Sequence, residues 1–141
     1  MTTDVDLVIS AEDRSRVRAV LEQAGLRYQK GEFIGADDVR LHLAFDDMPA
    51  GEDWAKSIRF PNPREAKERS ILDGFPTVRL ARLVELELAC GLTNPRRLQD
   101  VADVLRLIEI NGLDNRFAGK LHKLLRNEFK RLVDIVRTYP P

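Results

Sequence analysis

An α+β fold is expected for this chain, a small mixed β-sheet followed by a C-terminal three-helix region. Three observations predict it. The run Thr2-Thr3-Asp4-Val5-Asp6-Leu7-Val8-Ile9 is β-branched and apolar apart from its two aspartates, which suits a largely buried strand. The stretch Val39-Arg40-Leu41-His42-Leu43-Ala44-Phe45 alternates strictly, with Val39, Leu41, Leu43 and Phe45 on one face and Arg40, His42 and Ala44 on the other. From Leu80 onward the apolar residues recur at helical spacing.

Taken in order, the first strand projects Asp4 and Asp6 from one face, because residues i and i+2 of a strand point the same way. Ser10, with Asp13 three residues on, forms a capping-box-like start for a helix carrying Val17, Val20, Leu21 and Ala24, and Gly25 stops it. Leu26 to Phe33 reads as extended. Gly35-Ala36-Asp37-Asp38 turns into the alternating strand. From Asp46 to Pro63 four prolines and glycines exclude long regular elements, and Trp54 is expected to anchor this stretch. A short helix over Arg64–Arg69, a turn at Asp73-Gly74-Phe75-Pro76 and a short strand or connector over Thr77–Leu80 follow. The first C-terminal helix carries Leu83, Val84, Leu86, Leu88 and Ala89 and stops at Gly91. Asn94-Pro95 opens the second, with a polar cap and proline at the first position, and Asn111-Gly112 ends it. The third begins near Asp114-Asn115, carries Phe117, Leu121, Leu124, Leu125, Phe129, Leu132, Val133 and Val136, and is closed by Pro140-Pro141. The expected organisation is an α/β core over residues 1–79 with a helical region over 80–141 packed on it.

Composition narrows the class. With 23 basic and 23 acidic residues the formal net charge is +0, so no global field recruits nucleic acid or a membrane surface. A single cysteine, Cys90, forbids an internal disulfide and points to a reducing cytoplasm. No apolar stretch reaches membrane-spanning length.

Paired carboxylates on one strand face repel unless a cation lies between them, and hard oxygen ligands suit Mg²⁺. Two solvated acids at a strand end are the plainer reading of the spacing alone. The rest of the chain resembles the nucleotidyltransferases of the DNA polymerase β superfamily, closest to the branch of minimal nucleotidyltransferases and abortive-infection toxins. Thr2-Thr3-Asp4-Val5-Asp6-Leu7 matches the family's Thr-x-Asp-hydrophobic-Asp strand. Leu80-Ala81-Arg82-Leu83-Val84-Glu85-Leu86-Glu87-Leu88-Ala89-Cys90-Gly91 matches a later family helix, and Arg97-Leu98-Gln99-Asp100-Val101-Ala102-Asp103 matches the one after it. Phe60-Pro61-Asn62-Pro63 and Gly74 also fit, and the likeness covers most of the chain.

The resemblance implies Mg²⁺-dependent attack of a hydroxyl on the α-phosphorus of a nucleoside triphosphate, with two metal ions about 3.5–4 Å apart steadying the attacking and leaving oxygens. It implies that Asp4 and Asp6 hold metal, that a third carboxylate on the Val39–Phe45 strand completes the set, and that Thr3, Arg97 and Asp100 lie at the nucleotide. That third position falls on His42, with Asp37, Asp38, Asp46 and Asp47 as substitutes only in another register. The family's phosphate-gripping glycine turn would precede Asp4 by about a dozen residues, where only Met1, Thr2 and Thr3 stand, so that element is expected to be missing and apolar sheet surface to be left uncovered. The family lysine of the first C-terminal helix is Glu87, whose carboxylate would repel a triphosphate.

Structural alternatives stand beside each of these. Arg97 and Asp100, three residues apart, suit an ordinary helical ion pair. Glu87 suits a solvated face, Cys90 a packing position, and Lys120, Lys123, Arg126, Lys130 and Arg131 a solvated helix face or an RNA contact. The expected function is therefore nucleotidyl transfer, impaired in this chain. The alternative is a non-catalytic relative serving as a binding or regulatory module, in a toxin–antitoxin-like system. Expected partners are a nucleoside triphosphate and a protein partner or second copy, with no membrane and no nucleic acid except an RNA acceptor.

Overall fold

Parallel pairing of two distant segments organises the N-terminal part. In the computed structural model, which describes residues 4–139 and leaves the Asp37 side chain undescribed, β1 (Asp4–Ile9) pairs in parallel with β4 (Arg40–Phe45). Between them run α1 (Arg14–Gln23), β2 (Arg27–Gln29) and β3 (Glu32–Ile34). β2 and β3 are antiparallel, as are β3 and β4, so the sheet is mixed in the order β1-β4-β3-β2. The α+β class with a small mixed sheet and a C-terminal helical region is what the structure contains.

Where Leu26–Phe33 reads as one extended stretch, the chain folds into a tight hairpin. Lys30 and Gly31 both take positive φ, 51° and 92°, the backbone a two-residue turn of matching twist requires. Register then sorts the side chains. Val5, Leu41, Phe33 and Tyr28 lie in one row across the four strands, on the face that also carries Phe45. α1 lies over this face through two cations, with Arg14 4.4 Å above the Phe45 ring and Arg18 4.6 Å above that of Tyr28. The opposite face carries Asp4, Asp6, Arg40, His42 and Glu32 beside the apolar Val8, Ala44 and Ile34. β1 is half open rather than largely buried, with Asp4, Val5 and Asp6 exposed, because β4 is its one strand neighbour among the described residues.

Ser10 does open a turn, Ala11–Asp13, ahead of α1, but its side chain makes no cap bond. The Ala11 N–H is instead taken by Asp46 Oδ1 at 2.8 Å, joining the end of β4 to the start of the helix. Arg64 pairs with Glu12 and, at 2.8 Å, with Asp13, which ties the 60–68 segment to the same place. Asp13 is held below the usual carboxylate range by its hydrogen bonds from Arg64 and Arg16.

The chain forms two compact units, residues 1–48 with 60–68, and residues 49–59 with 69–141, where the sequence reading places one break after residue 79. In the second unit α2 (Leu80–Thr93) is the central element, burying Val84, Glu85, Leu86, Leu88, Ala89 and Gly91. Its apolar residues surround the helix, so they meet neighbours on several sides. α3 (Leu98–Asn111) packs on it through Val104 and Ile108. Gly91 permits the approach: a Cβ there would stand 2.7 Å from Val101 Cγ2 and 3.1 Å from the Arg97 carbonyl oxygen. The Asn94 side chain accepts the Arg96 N–H, and Pro95 starts a short 3₁₀ turn, the cap the sequence announces. Gly112 at φ 57° closes α3 in the left-handed conformation.

Three expectations are corrected here. The last helix is not continuous from Asp114. Two 3₁₀ segments, Asn115–Lys120 and Lys123–Leu125, precede α4 (Arg126–Thr138), and Ala118, Leu125 and the intervening Leu121 are buried without an α-helix. Trp54 is no anchor, being 48% exposed, and Ala50, Ala55 and Ile58 hold the 49–59 loop instead. In place of a short helix over Arg64–Arg69, a 3₁₀ turn at Ala66–Glu68 leads into β5 (Arg69–Leu72), which pairs with β6 (Phe75–Val78) around Asp73 and Gly74, again both at positive φ. The closing Pro140-Pro141 signal lies outside the described residues.

Candidate functional site

The polar face of the sheet brings together the carboxylates the sequence singles out. Parallel register sets Asp4 opposite Arg40 and Asp6 opposite His42, on the face turned away from Val5, Leu41 and Phe45. His42 Nδ1 lies 3.1 Å from Asp6 Oδ1. On its other side His42 Nε2 lies 3.2 Å from Glu32 Oε1, and Arg40 approaches the same glutamate at 3.9 Å. Asp6, His42 and Glu32 thus form one row across β1, β4 and β3.

Both ring nitrogens of His42 face carboxylate oxygens. A neutral imidazole can donate from one nitrogen only, whereas the imidazolium donates from both. Burial is the largest single influence and pushes its pKa down, but the hydrogen bonds to Glu32 and Asp6 and their charges together outweigh it and hold the ring above the ordinary 6.5. The group that stands at the expected third-carboxylate position is thus biased toward its positively charged form. As a metal ligand it would have to free a nitrogen lone pair that the row commits to a carboxylate. As arranged, Asp6, His42 and Glu32 do not fit a Mg²⁺ centre, and among the described residues no three His, Cys, Asp or Glu side chains gather as metal ligands.

The flanking acids are used otherwise. Asp46 caps the turn before α1 and Asp47 pairs with Arg14, while Asp38 sits exposed at φ 58°. Thr3 lies outside the described residues. Arg97 and Asp100 belong to the second unit, where Arg97 Nε meets Asp100 Oδ2 at 2.6 Å and Asp100 is buried. That bond is the main cause raising the Arg97 pKa further. Glu87 is half-buried on α2. Cys90 gives its thiol proton to the Ala50 carbonyl at 2.7 Å, and burial pushes its pKa up, so it is a poor nucleophile.

Glu32 is the site residue that sequence reasoning missed. Its signal was present: in Glu32-Phe33-Ile34 the alternation sets Glu32 opposite to buried Phe33, and Lys30-Gly31 marks the turn that brings β3 back along β2. No helix among the described residues is long and apolar enough to cross a membrane. Comparison with protein-family models, with curated proteins and with solved structures finds no match to this chain.

Proposed function

We propose that the chain is a nucleotidyltransferase-like protein in which Mg²⁺-dependent nucleotidyl transfer is impaired, serving as a binding or regulatory module. The reading rests on the resemblance carried by the Asp-x-Asp strand and the two helix motifs. One observation supports it most: Asp4, Asp6 and the residue at the third position share one polar face of two adjacent parallel strands. Impairment is favoured by what stands at that position, a histidine whose nitrogens both face carboxylates.

Calorimetric titration of the chain with Mg²⁺ and each nucleoside triphosphate tests this. No saturable metal-dependent binding is expected for the wild type. His42→Asp, which removes the imidazole and puts a carboxylate at that position, is expected to create a divalent-cation site that Asp6→Ala abolishes. Metal-dependent nucleotide binding by the wild type, lost in Asp4→Ala and Asp6→Ala, would overturn the impaired reading.

A further inference from the structure

Strands β5 and β6 form a two-stranded ribbon that no other strand joins among the described residues, and such a ribbon is marginal in water by itself. Every β5 residue is exposed, and Ile71, Leu72 and Phe75 stand 67%, 64% and 71% open. Asp73 and Gly74, at φ 50° and 84°, make the two-residue turn of a hairpin. A turn of this kind puts Leu72 and Phe75 in the hydrogen-bonded pair that closes it. The next pair, Ile71 with Pro76, therefore turns its main-chain groups outward.

The two outer edges are unlike. On β6 the outward position is Pro76, which has no N–H to offer, so that edge is blunted. On β5 it is Ile71, which presents both N–H and C=O. Two residues to either side stand Arg69 and Asp73, both exposed and neither in an ion pair among the described residues. The Arg69 carbonyl is taken by Arg79 Nε at 3.0 Å, which leaves Ile71 as the centre of the open edge.

We propose that this edge joins two copies of the chain, β5 against β5, antiparallel about a two-fold axis at Ile71. In that register the two Ile71 residues exchange both main-chain bonds, and Ser70 faces Leu72. Arg69 of each copy falls opposite Asp73 of the other, at about 5 Å between Cβ atoms, and the symmetry makes two such ion pairs. Sliding one copy by two residues in either direction sets Arg69 or Asp73 against Ile71 instead. On one face an apolar row of Pro76, Ile71, Ile71 and Pro76 then crosses four strands. An unrelated strand would have to bring the acid and the base in reversed order, whereas a second copy has them by its own symmetry. Because Pro76 blunts β6, pairing closes at two copies and does not grow into a filament. So short an edge buries less than the roughly 1,200 Å² of a standard interface, which makes the dimer a weak one. The pairing lies within the second unit and stands whether or not the nucleotidyltransferase reading holds.

Sedimentation velocity of the full chain from about 10 μM to 2 mM tests it, with a reversible dimer of Kd about 50–500 μM expected. Arg69→Asp and Asp73→Lys should each weaken association at least about tenfold, since each sets like charges face to face. Lysine suits that turn position, as Lys30 at φ 51° shows in the other hairpin. An equimolar mixture of the two variants should recover the association of the wild type, because unlike copies restore both ion pairs. The Ile71 amide should gain hydrogen-exchange protection as the concentration rises. The proposal is overturned by a wild type that stays monomeric at 2 mM, by undiminished dimerisation of Arg69→Asp, by a mixture that associates no better than its parts, or by an Ile71 amide left unprotected in the dimer. Co-sedimentation with phosphatidylcholine vesicles that Phe75→Ser abolishes would assign the apolar tip to a membrane surface and overturn it as well.

Discussion

His42 and Asp6 stand side by side on two parallel strands that are 36 residues apart in sequence, with Nδ1 3.1 Å from Oδ1, and Glu32 faces the other nitrogen. The arrangement makes the row a proton-dependent clamp on β1, β4 and β3. A pKa raised by folding means that the native state binds the proton more tightly than the unfolded chain. The stabilisation is fully present below about 6.5 and is lost as pH rises through the higher folded value. Because the His42 side chain is 41% exposed and Asp6 80%, screening keeps the effect small. A fall in Tm of about 1–3 °C between pH 6 and 8 is expected, absent in His42→Gln. Calorimetric melts over that range check it, and an NMR titration of the His42 ring that shows a pKa below 6.5 would sink the clamp.

Gly51 and Gly91 are required for space rather than for turn conformation. A Cβ on Gly51 would meet Ala55 Cβ at 2.5 Å and the Ala89 carbonyl oxygen at 2.8 Å, and backbone cannot step aside cheaply. Gly51→Ala and Gly91→Ala should each destabilise by about 1–3 kcal/mol through overpacking. Urea unfolding should show lower midpoints. Gly119→Ala, where nothing lies within 4 Å, should leave the midpoint nearly unchanged and serves as the comparison.

Local signals were the legible ones. The Asn94-Pro95 start and the Gly112 stop bracket a helix whose register needs only its own residues. The strict alternation in Val39–Phe45 likewise announces a strand, and Leu41 is indeed turned inward. What stayed hidden depends on distant partners. Asp73-Gly74 marks a turn in the sequence, but β5 has no one-sided apolar pattern to announce it, and the structure leaves Arg69, Ser70, Ile71 and Leu72 all exposed. The sequence overstates the final helix because Phe117, Leu121, Leu125 and Phe129 keep a spacing of four through two 3₁₀ segments. Asp4 and Asp6 could be placed on one face from the strand period alone. The Glu32–His42 contact needed the register of β3 against β4, which sequence separation conceals.

Arg97 and Asp100 offer a test of structure against ligand binding. Asp100 is buried, so removing Arg97 leaves a carboxylate without its 2.6 Å partner, whereas removing Asp100 leaves a guanidinium that is half in water. Arg97→Ala should therefore cost about 1–2 kcal/mol, and a double-mutant cycle should give a coupling of about 0.5–1 kcal/mol, since the arginine is 53% exposed. Denaturant midpoints of the four proteins give the cycle. Coupling near zero would mean that the pair contributes nothing to stability, leaving a role at a ligand as the reason for its geometry.

Glu85 carries the sharpest stability prediction. Only 4% exposed on α2, it accepts the His122 N–H on Oε1 at 2.5 Å and binds Arg82 Nη1 through Oε2 at 2.6 Å. One carboxylate thus fastens α2 to the irregular 115–125 segment, whose backbone N–H would otherwise lose its acceptor. Glu85→Ala should destabilise by about 2–4 kcal/mol, because the partly buried His122 N–H loses its acceptor and Arg82 loses its bond to Oε2. Glu85→Gln keeps a carbonyl for the His122 N–H and should recover roughly half of that loss. Arg82→Ala should cost less than Glu85→Ala, because Arg82 is 36% exposed while the His122 bond remains. Equal losses for Glu85→Ala and Glu85→Gln in urea unfolding would show that the charge, and not the bond to His122, is what holds the segment.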